Sequence, residues 1–344
     1  MTHVRIGDRL IGDGQPVFII AEIGYNFNTV EEGIASIDSA VDCGVDAVKF
    51  QTFTPETLTT RSVNFPEEAG GVNQWEEFNR YQMSEETHRI LFEHARKRGI
   101  VVFSTPSHYD DVELLERLEV SLYKIGSDDL TNLPFLKYIA KKGKPVIFST
   151  GMGTMVEVAE AFETIVSTGN NQVVVLYCVS NYPIRDTALL DLNIIKTFKK
   201  VFGIPVGFSD HSTTIGAAVA AVALGASVIE RHFVIDKRLD VPDAFFSSDP
   251  SELRLLVDEI RNVEKALGDG IKRRTVTESQ MALEARKSII ARRDIAVGET
   301  MTRDMFIIKR PGTGILPKYG DLVSGRRARK VIPTDTAITW DCLD

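Results

Sequence analysis

Two histidines, two lysines and several short hydroxyl residues recur at one kind of position, the last residues of short apolar runs. The runs are VFIIAE (17–22), DAVKFQ (46–51), IVVFST (100–105), LYKIGS (122–127), PVIFST (145–150), QVVVLYC (172–178), IPVGFSDH (204–211) and SVIERHF (227–233). Their ends supply Glu22, Lys49, Gln51, Thr105, Lys124, Ser127, Ser149, His211 and His232. His211 and His232 close the last two runs. Two imidazoles converging from neighbouring strands can bind a divalent metal and leave positions open for water and substrate. The alternative is a satisfied, hydrogen-bonded role for each ring. With no third strong ligand in view, a permanent structural zinc is not expected.

Lys49 lies inside an apolar run, where an unpaired ammonium is costly. It is a Schiff-base nucleophile, a fixed cation for an anionic substrate, or the partner of Glu22 in a structural ion pair across the fold. Lys124 is placed in the same way, and two such lysines favour anion binding. Glycine and hydroxyl residues follow several runs, as GSDD (126–129), STGMGT (149–154) and SDHS (209–212). Such loops turn backbone N–H groups and hydroxyls toward phosphate oxygens. Each alone is a weak signal. Three of them beside two lysines and a metal pair describe a substrate with a phosphate and a carboxylate near a cation, and phosphoenolpyruvate fits.

Eight strand-like runs alternating with helical stretches over about 230 residues predict a (β/α)₈ barrel. In that fold the C-terminal strand ends form the mouth, which gathers these side chains in one place. Residues 1–16 read as a β-hairpin with a Gly-Asp-Gly turn, closing the barrel floor. The segment 52–82 breaks the rhythm and leaves the catalytic end of a strand, so it reads as a lid. A helix follows from Ser84 as N-cap to Gly99 as stop. The last barrel helix, 250–268, carries Leu253, Val257, Ile260, Val263 and Leu267 at helical spacing. The barrel domain is thus 1–268, with a polar linker at 269–287. Residues 288–344 form a small β-rich domain that leans on the barrel or on a second subunit.

The chain has 344 residues, 43% hydrophobic and 26% charged, as in soluble globular proteins. A net charge of −8 leaves no basic excess for nucleic acid. No apolar stretch reaches the roughly 18 residues of a membrane span, and the N-terminus lacks a signal-peptide core. Cys43, Cys178 and Cys342 are odd in number and far apart, which fits reduced thiols in the cytoplasm.

AEIGYN (21–26), AVKFQTF (47–53), YKIGS (123–127), STGM (149–152), GFSDHS (207–212), VAAVALGASVIERHF (219–233), Pro242-Asp243 and KRPGTGI (309–315) stand in order along nearly the whole chain. In these motifs the sequence resembles the N-acetylneuraminate (sialic acid) synthase family, whose members condense phosphoenolpyruvate with an N-acetylated aminohexose. The C-terminal residues resemble the antifreeze-like SAF domain of that family. The resemblance implies that His211 and His232 hold Mn²⁺, which binds the aldehyde oxygen of the open-chain sugar. It implies that Lys49 and Thr105 take the carboxylate of phosphoenolpyruvate, and Lys124, Ser127, Ser149 and Ser209 its phosphate. Glu22, Gln51, Tyr182 and Asp243 would face the sugar or the reacting centre, and Arg310 would reach the sugar's N-acetyl end across a domain-swapped homodimer.

Three segments depart from the family pattern. The common Asn-His-x-Gly reads Asn26-Phe27-Asn28-Thr29 here, Pro-Asp-His ends in Ala244, and Ser180 takes the first position of Asn-x-Tyr-Pro. These changes are expected beside the sugar, so they bear on the acceptor rather than the reaction. N-acetylmannosamine is the leading acceptor, with a diacetamido-trideoxyhexose (giving legionaminic or pseudaminic acid) as rival. A deoxy-octulosonate-type enzyme would lack residues 288–344, and a barrel that has lost catalysis would lack a lysine or histidine at the mouth.

Overall fold

The computed structural model describes residues 3–65 and 71–344, which separate into two compact units, 1–268 and 269–344. Part of the segment expected to be a lid, 66–70, lies outside the described residues.

The first unit opens with an antiparallel hairpin, β1 (His3–Ile6) and β2 (Arg9–Gly12). Its turn is Gly7-Asp8, with Gly7 at φ +55°, and not the Gly12-Asp13-Gly14 expected. Ile6 pairs with Arg9, so only a two-residue loop remains, and glycine first in such a loop is a strong hairpin signal. Eight parallel strands follow: β3 (Phe18–Gly24), β4 (Ala47–Thr52), β5 (Val101–Pro106), β6 (Tyr123–Ile125), β7 (Val146–Ser149), β8 (Val173–Cys178), β9 (Val206–Asp210) and β10 (Val228–His232). Hydrogen bonding runs β5-β4-β3-β10-β9-β8-β7-β6, and β5 and β6 stand side by side at the seam. First and last strands therefore pair, Glu22 opposite His232, and the sheet comes round on itself. This is the expected (β/α)₈ barrel.

Strand residues alternate between two faces. Ile19, Val48, Phe50, Phe148, Val175, Phe208 and Ile229 face outward and pack with the helices in the main core. Phe18, Ile20, Ala47, Phe103, Ile147, Val174, Leu176 and Val228 fill the interior, and Val4, Ile6 and Ile11 of the hairpin pack with them. The hairpin plugs one end of the barrel. Two residues further along the same interior rows come Glu22, Lys49, Thr105, Ser149, Cys178 and Glu230, so the polar mouth follows from period-two alternation continued past an apolar filling.

Two helices show how locally this layout is written. The helix Glu85–Lys97 begins at Ser84, whose Oγ accepts the Thr87 N–H at 3.0 Å, and buries Leu91, Phe92 and Ala95. The helix Pro250–Leu267 is started by a capping box between Asp249 and Glu252. It buries Leu253, Leu256, Val257 and Ile260, whereas Leu267 in the last turn is 52% exposed. The segment after β4 is no structureless loop. It holds helices Pro55–Leu58 and Gln74–Tyr81, and Phe53, Phe78 and Tyr81 gather around Tyr25 at the end of β3.

The second unit pairs β11 (Ser288–Ala291) with β12 (Phe306–Lys309) and has its own core of Ile289, Ile295, Met301, Ile315, Val323, Ile332 and Ile338. The stretch expected as linker carries a helix, Val276–Ala285, because Thr275 and Glu278 form a capping box ahead of good helix formers. Arg310 follows β12 directly and is exposed.

Candidate active site

Lys49 and Glu22 are register partners on neighbouring strands, and Nζ lies 2.7 Å from Glu22 Oε2. They are adjacent rather than on opposite sides of the interior. Lys49 also donates to Thr105 Oγ1 at 3.2 Å, and Gln51 Nε2 donates to Glu22 Oε1 at 2.9 Å. Burial alone would lower the Lys49 pKa, but Glu22 and Glu230 outweigh it and the net shift is upward. Lys124 donates to Ser149 Oγ at 2.7 Å and to the Ile125 carbonyl at 3.2 Å. Burial and the neighbouring charge of Lys49 lower its pKa despite the pull of Glu230. An ammonium carries three donors, so each lysine keeps one beyond these contacts for an incoming anion.

Glu230 joins the two lysines, 3.8 Å from Lys49 Nζ and 3.7 Å from Lys124 Nζ, and accepts from Ser209 Oγ at 2.9 Å. Burial works to raise its pKa, and the two lysines overcome that and hold it below the usual carboxylate range. Reading only the ends of the runs passes over Glu230. The signal was there: it stands two residues before His232 and so shares its interior row. Cys178 was also passed over. Its Sγ is 3.8 Å from Ser127 Oγ, and Ser127 Oγ accepts the Gly151 N–H at 3.0 Å. A Cβ at Gly151 would stand 2.1 Å from Ser180 Oγ and 2.8 Å from Ser127 Oγ, so any side chain here would displace the two hydroxyls from their present positions.

His211 and His232 approach with ring centroids 5.4 Å apart. His211 Nδ1–H donates to the Val179 carbonyl at 2.9 Å, which fixes the tautomer and leaves the lone pair of Nε2 free. Burial first, and then His232, push the His211 pKa down to about 3, so the ring is neutral and a competent metal ligand at neutral pH. His232 Nδ1 lies 3.2 Å from Asp243 Oδ2 without hydrogen-bond alignment and is buried with no partner among the described residues. The described residues hold no group of three or more His, Cys, Asp or Glu able to cage a metal. Two neutral or orphaned imidazole nitrogens fit an open divalent site completed by water and substrate.

The remaining expected residues divide. Tyr182 lies over His211 with ring centroids 4.1 Å apart and is 43% exposed. Asp243 is held by its own N–H, which donates to Asn26 Oδ1 at 3.1 Å, and the Ser180 hydroxyl is buried without a partner. Arg310 belongs to the second unit. Of the three departures, Phe27 does not face the mouth: it packs edge-on against outward-facing Phe50 at 6.2 Å, drawn into the core under the helices. Ala244 joins Tyr25, Phe53, Tyr81, Val234 and Val241 in an apolar cluster next to Asp243.

Residues 36–272 match the NeuB family and residues 286–344 match the SAF domain. The chain is 36% identical to an N,N'-diacetyllegionaminic acid synthase of Legionella pneumophila, over 97% of this chain and 96% of that one. It is 38% identical to a pseudaminic acid synthase of Campylobacter jejuni, over 94% and 95% of the two chains. Among solved structures, an N-acetylneuraminic acid (sialic acid) synthetase from Leptospira borgpetersenii superposes with a TM-score of 0.74 at 31% identity, covering 81% of this chain and 95% of that one.

Proposed function

The chain belongs to the NeuB family, and we propose that it is a nonulosonic acid synthase that condenses phosphoenolpyruvate with an open-chain N-acetylated aminohexose. The observation that carries the reading is the pairing of two buried ammonium groups, Lys49 and Lys124, with a convergent His211–His232 pair at one barrel mouth. Lys49 and Thr105 would hold the carboxylate of phosphoenolpyruvate. Lys124, Ser127, Ser149 and Ser209 would hold its phosphate. A divalent cation at His211 and His232, in this reading Mn²⁺, supplies Lewis-acid polarisation of the sugar aldehyde.

The chain's own groups account for the rest. The enol carbon C3 of phosphoenolpyruvate bonds to the aldehyde carbon, and positive character develops at C2 beside Glu22, which its contacts with Lys49 and Gln51 hold in place. Water adds at C2, and one of its protons passes by way of a mouth carboxylate to the alkoxide left on the former aldehyde carbon. Cleavage of the C2–O bond then releases phosphate toward Lys124, as the new C2 hydroxyl gives its proton to the phosphate and becomes the ketone. Arg310 would bind the acetamido oxygen in the partner's site of a homodimer, a role supported by the motif resemblance.

Ala244 is buried within the apolar cluster beside Asp243. That cluster and the legionaminic and pseudaminic relatives favour a 6-deoxy acceptor, a diacetamido-trideoxyhexose, over N-acetylmannosamine. The test is phosphate release from phosphoenolpyruvate and Mn²⁺ with each sugar in turn. Release is expected with N-acetylated aminohexoses, fastest with the diacetamido-trideoxyhexose, and abolished by chelator. No release with any of them sinks the reading.

A further inference from the structure

Directly before the two histidines stand Asp210 and Arg231, register partners on β9 and β10. They belong to the outward rows and point away from the mouth, beneath the helix layer. Arg231 Nη1 donates to Asp210 Oδ2 at 2.8 Å, with side-chain exposures of 5% and 0%. Arg231 Nε donates to Ser248 Oγ at 2.9 Å, and Ser248 is fully buried. The other Asp210 oxygen accepts the Ser212 N–H at 2.8 Å.

A buried ion pair is poor evidence of stability, because desolvation consumes most of what the pairing returns and an apolar pair of similar volume does as well. Its geometry suggests another use. One guanidinium ties the strand end carrying His211 to the strand end carrying His232. Its second arm holds Ser248, whose N–H donates to the His232 carbonyl at 2.8 Å and which lies in the loop 233–248 that also carries Asp243. The His211 carbonyl is fixed in turn by the Ile184 N–H at 2.8 Å.

We infer that Asp210, Arg231 and Ser248 are positioning residues that set the spacing of His211 and His232 for a divalent cation. This rests on the proposal that the two histidines hold that cation. The planar fork of arginine is required, since a lysine presents all its donors from one nitrogen and cannot span Asp210 and Ser248 together.

The test is direct Mn²⁺ binding to the full chain, followed by electron paramagnetic resonance of free Mn²⁺, alongside thermal melting. The double variant Asp210→Leu/Arg231→Met replaces the ion pair but leaves the buried Ser212 N–H and Ser248 hydroxyl without these partners, so it should stay folded with a lowered melt and bind Mn²⁺ about 10- to 100-fold more weakly, the range typical of lost outer-sphere partners. Wild-type Mn²⁺ affinity in the folded double variant overturns the inference. Should that variant fail to fold, Arg231→Lys decides: weakened Mn²⁺ binding with an unchanged melt supports positioning, and wild-type binding overturns it. His232→Ala is run beside both. If it too binds Mn²⁺ like wild type, the cation assignment itself has failed, and the inference falls with it for a distinguishable reason.

Discussion

At the scale of single residues, the mouth works by keeping charges buried and nearly balanced. Two lysines and two carboxylates, Glu22 and Glu230, are linked by contacts within 4 Å, and the hydroxyls of Thr105, Ser149 and Ser209 bond Lys49, Lys124 and Glu230 in turn. Lys124→Ala removes a charge-assisted contact worth about 1.5–3 kcal/mol. Phosphoenolpyruvate affinity should therefore fall by about one to two orders of magnitude, with Lys49→Ala acting similarly through the carboxylate. Isothermal titration of both variants checks this, and normal affinity in both would make the lysines structural. Most of these side chains were legible as the polar ends of apolar runs. Glu230, Asp210 and Arg231 were not, because each lies within its run or just short of its end, and only the two-residue alternation shows which of them faces the mouth.

At the scale of elements, the same alternation explains why the barrel could be read and where the reading slipped. Eight apolar runs bounded by turn residues are a strong signal, and every one is a strand. The N-terminal hairpin was legible as a hairpin, but its turn was misplaced by five residues because two Gly-Asp pairs, at 7–8 and 12–13, offer the same local chemistry. Only cross-strand register separates them. The segment after β4 was read by its broken rhythm, which hid two short helices too brief to show a period. Register also makes one glycine indispensable. Gly207 faces the interior, where a Cβ would stand 2.5 Å from Leu176 Cδ2 and 2.5 Å from the Val228 carbonyl oxygen. The backbone oxygen cannot retreat without breaking the β9–β10 ladder, so Gly207→Ala should destabilise by about 1–3 kcal/mol or more. Chemical denaturation measures it, and wild-type stability would contradict this packing of β8, β9 and β10.

At the scale of the whole molecule, the sequence change near residue 288 was legible as a switch from helices to short strands, and the second unit has its own apolar core. What that unit does is not written in its fold. Arg310 is an exposed guanidinium in the turn RPGTG (310–314), immediately after β12, and by itself such a residue is an ordinary surface charge. The proposed role in a partner's sugar site differs from the ordinary one in a way that subunit mixing can read. Arg310→Ala and His232→Ala, each inactive alone, are co-expressed with different tags and purified as the mixed dimer. If subunits exchange their C-terminal units, one site carries both lesions and the other carries neither. Activity should then return to about half the wild-type value per dimer, as expected when one of two independent sites is intact. If Arg310 serves its own barrel, each site keeps one lesion and the mixed dimer stays inactive. An Arg310→Ala protein with unchanged use of the sugar would remove the role altogether, leaving the second unit as a stabilising appendage whose turn happens to carry a charge.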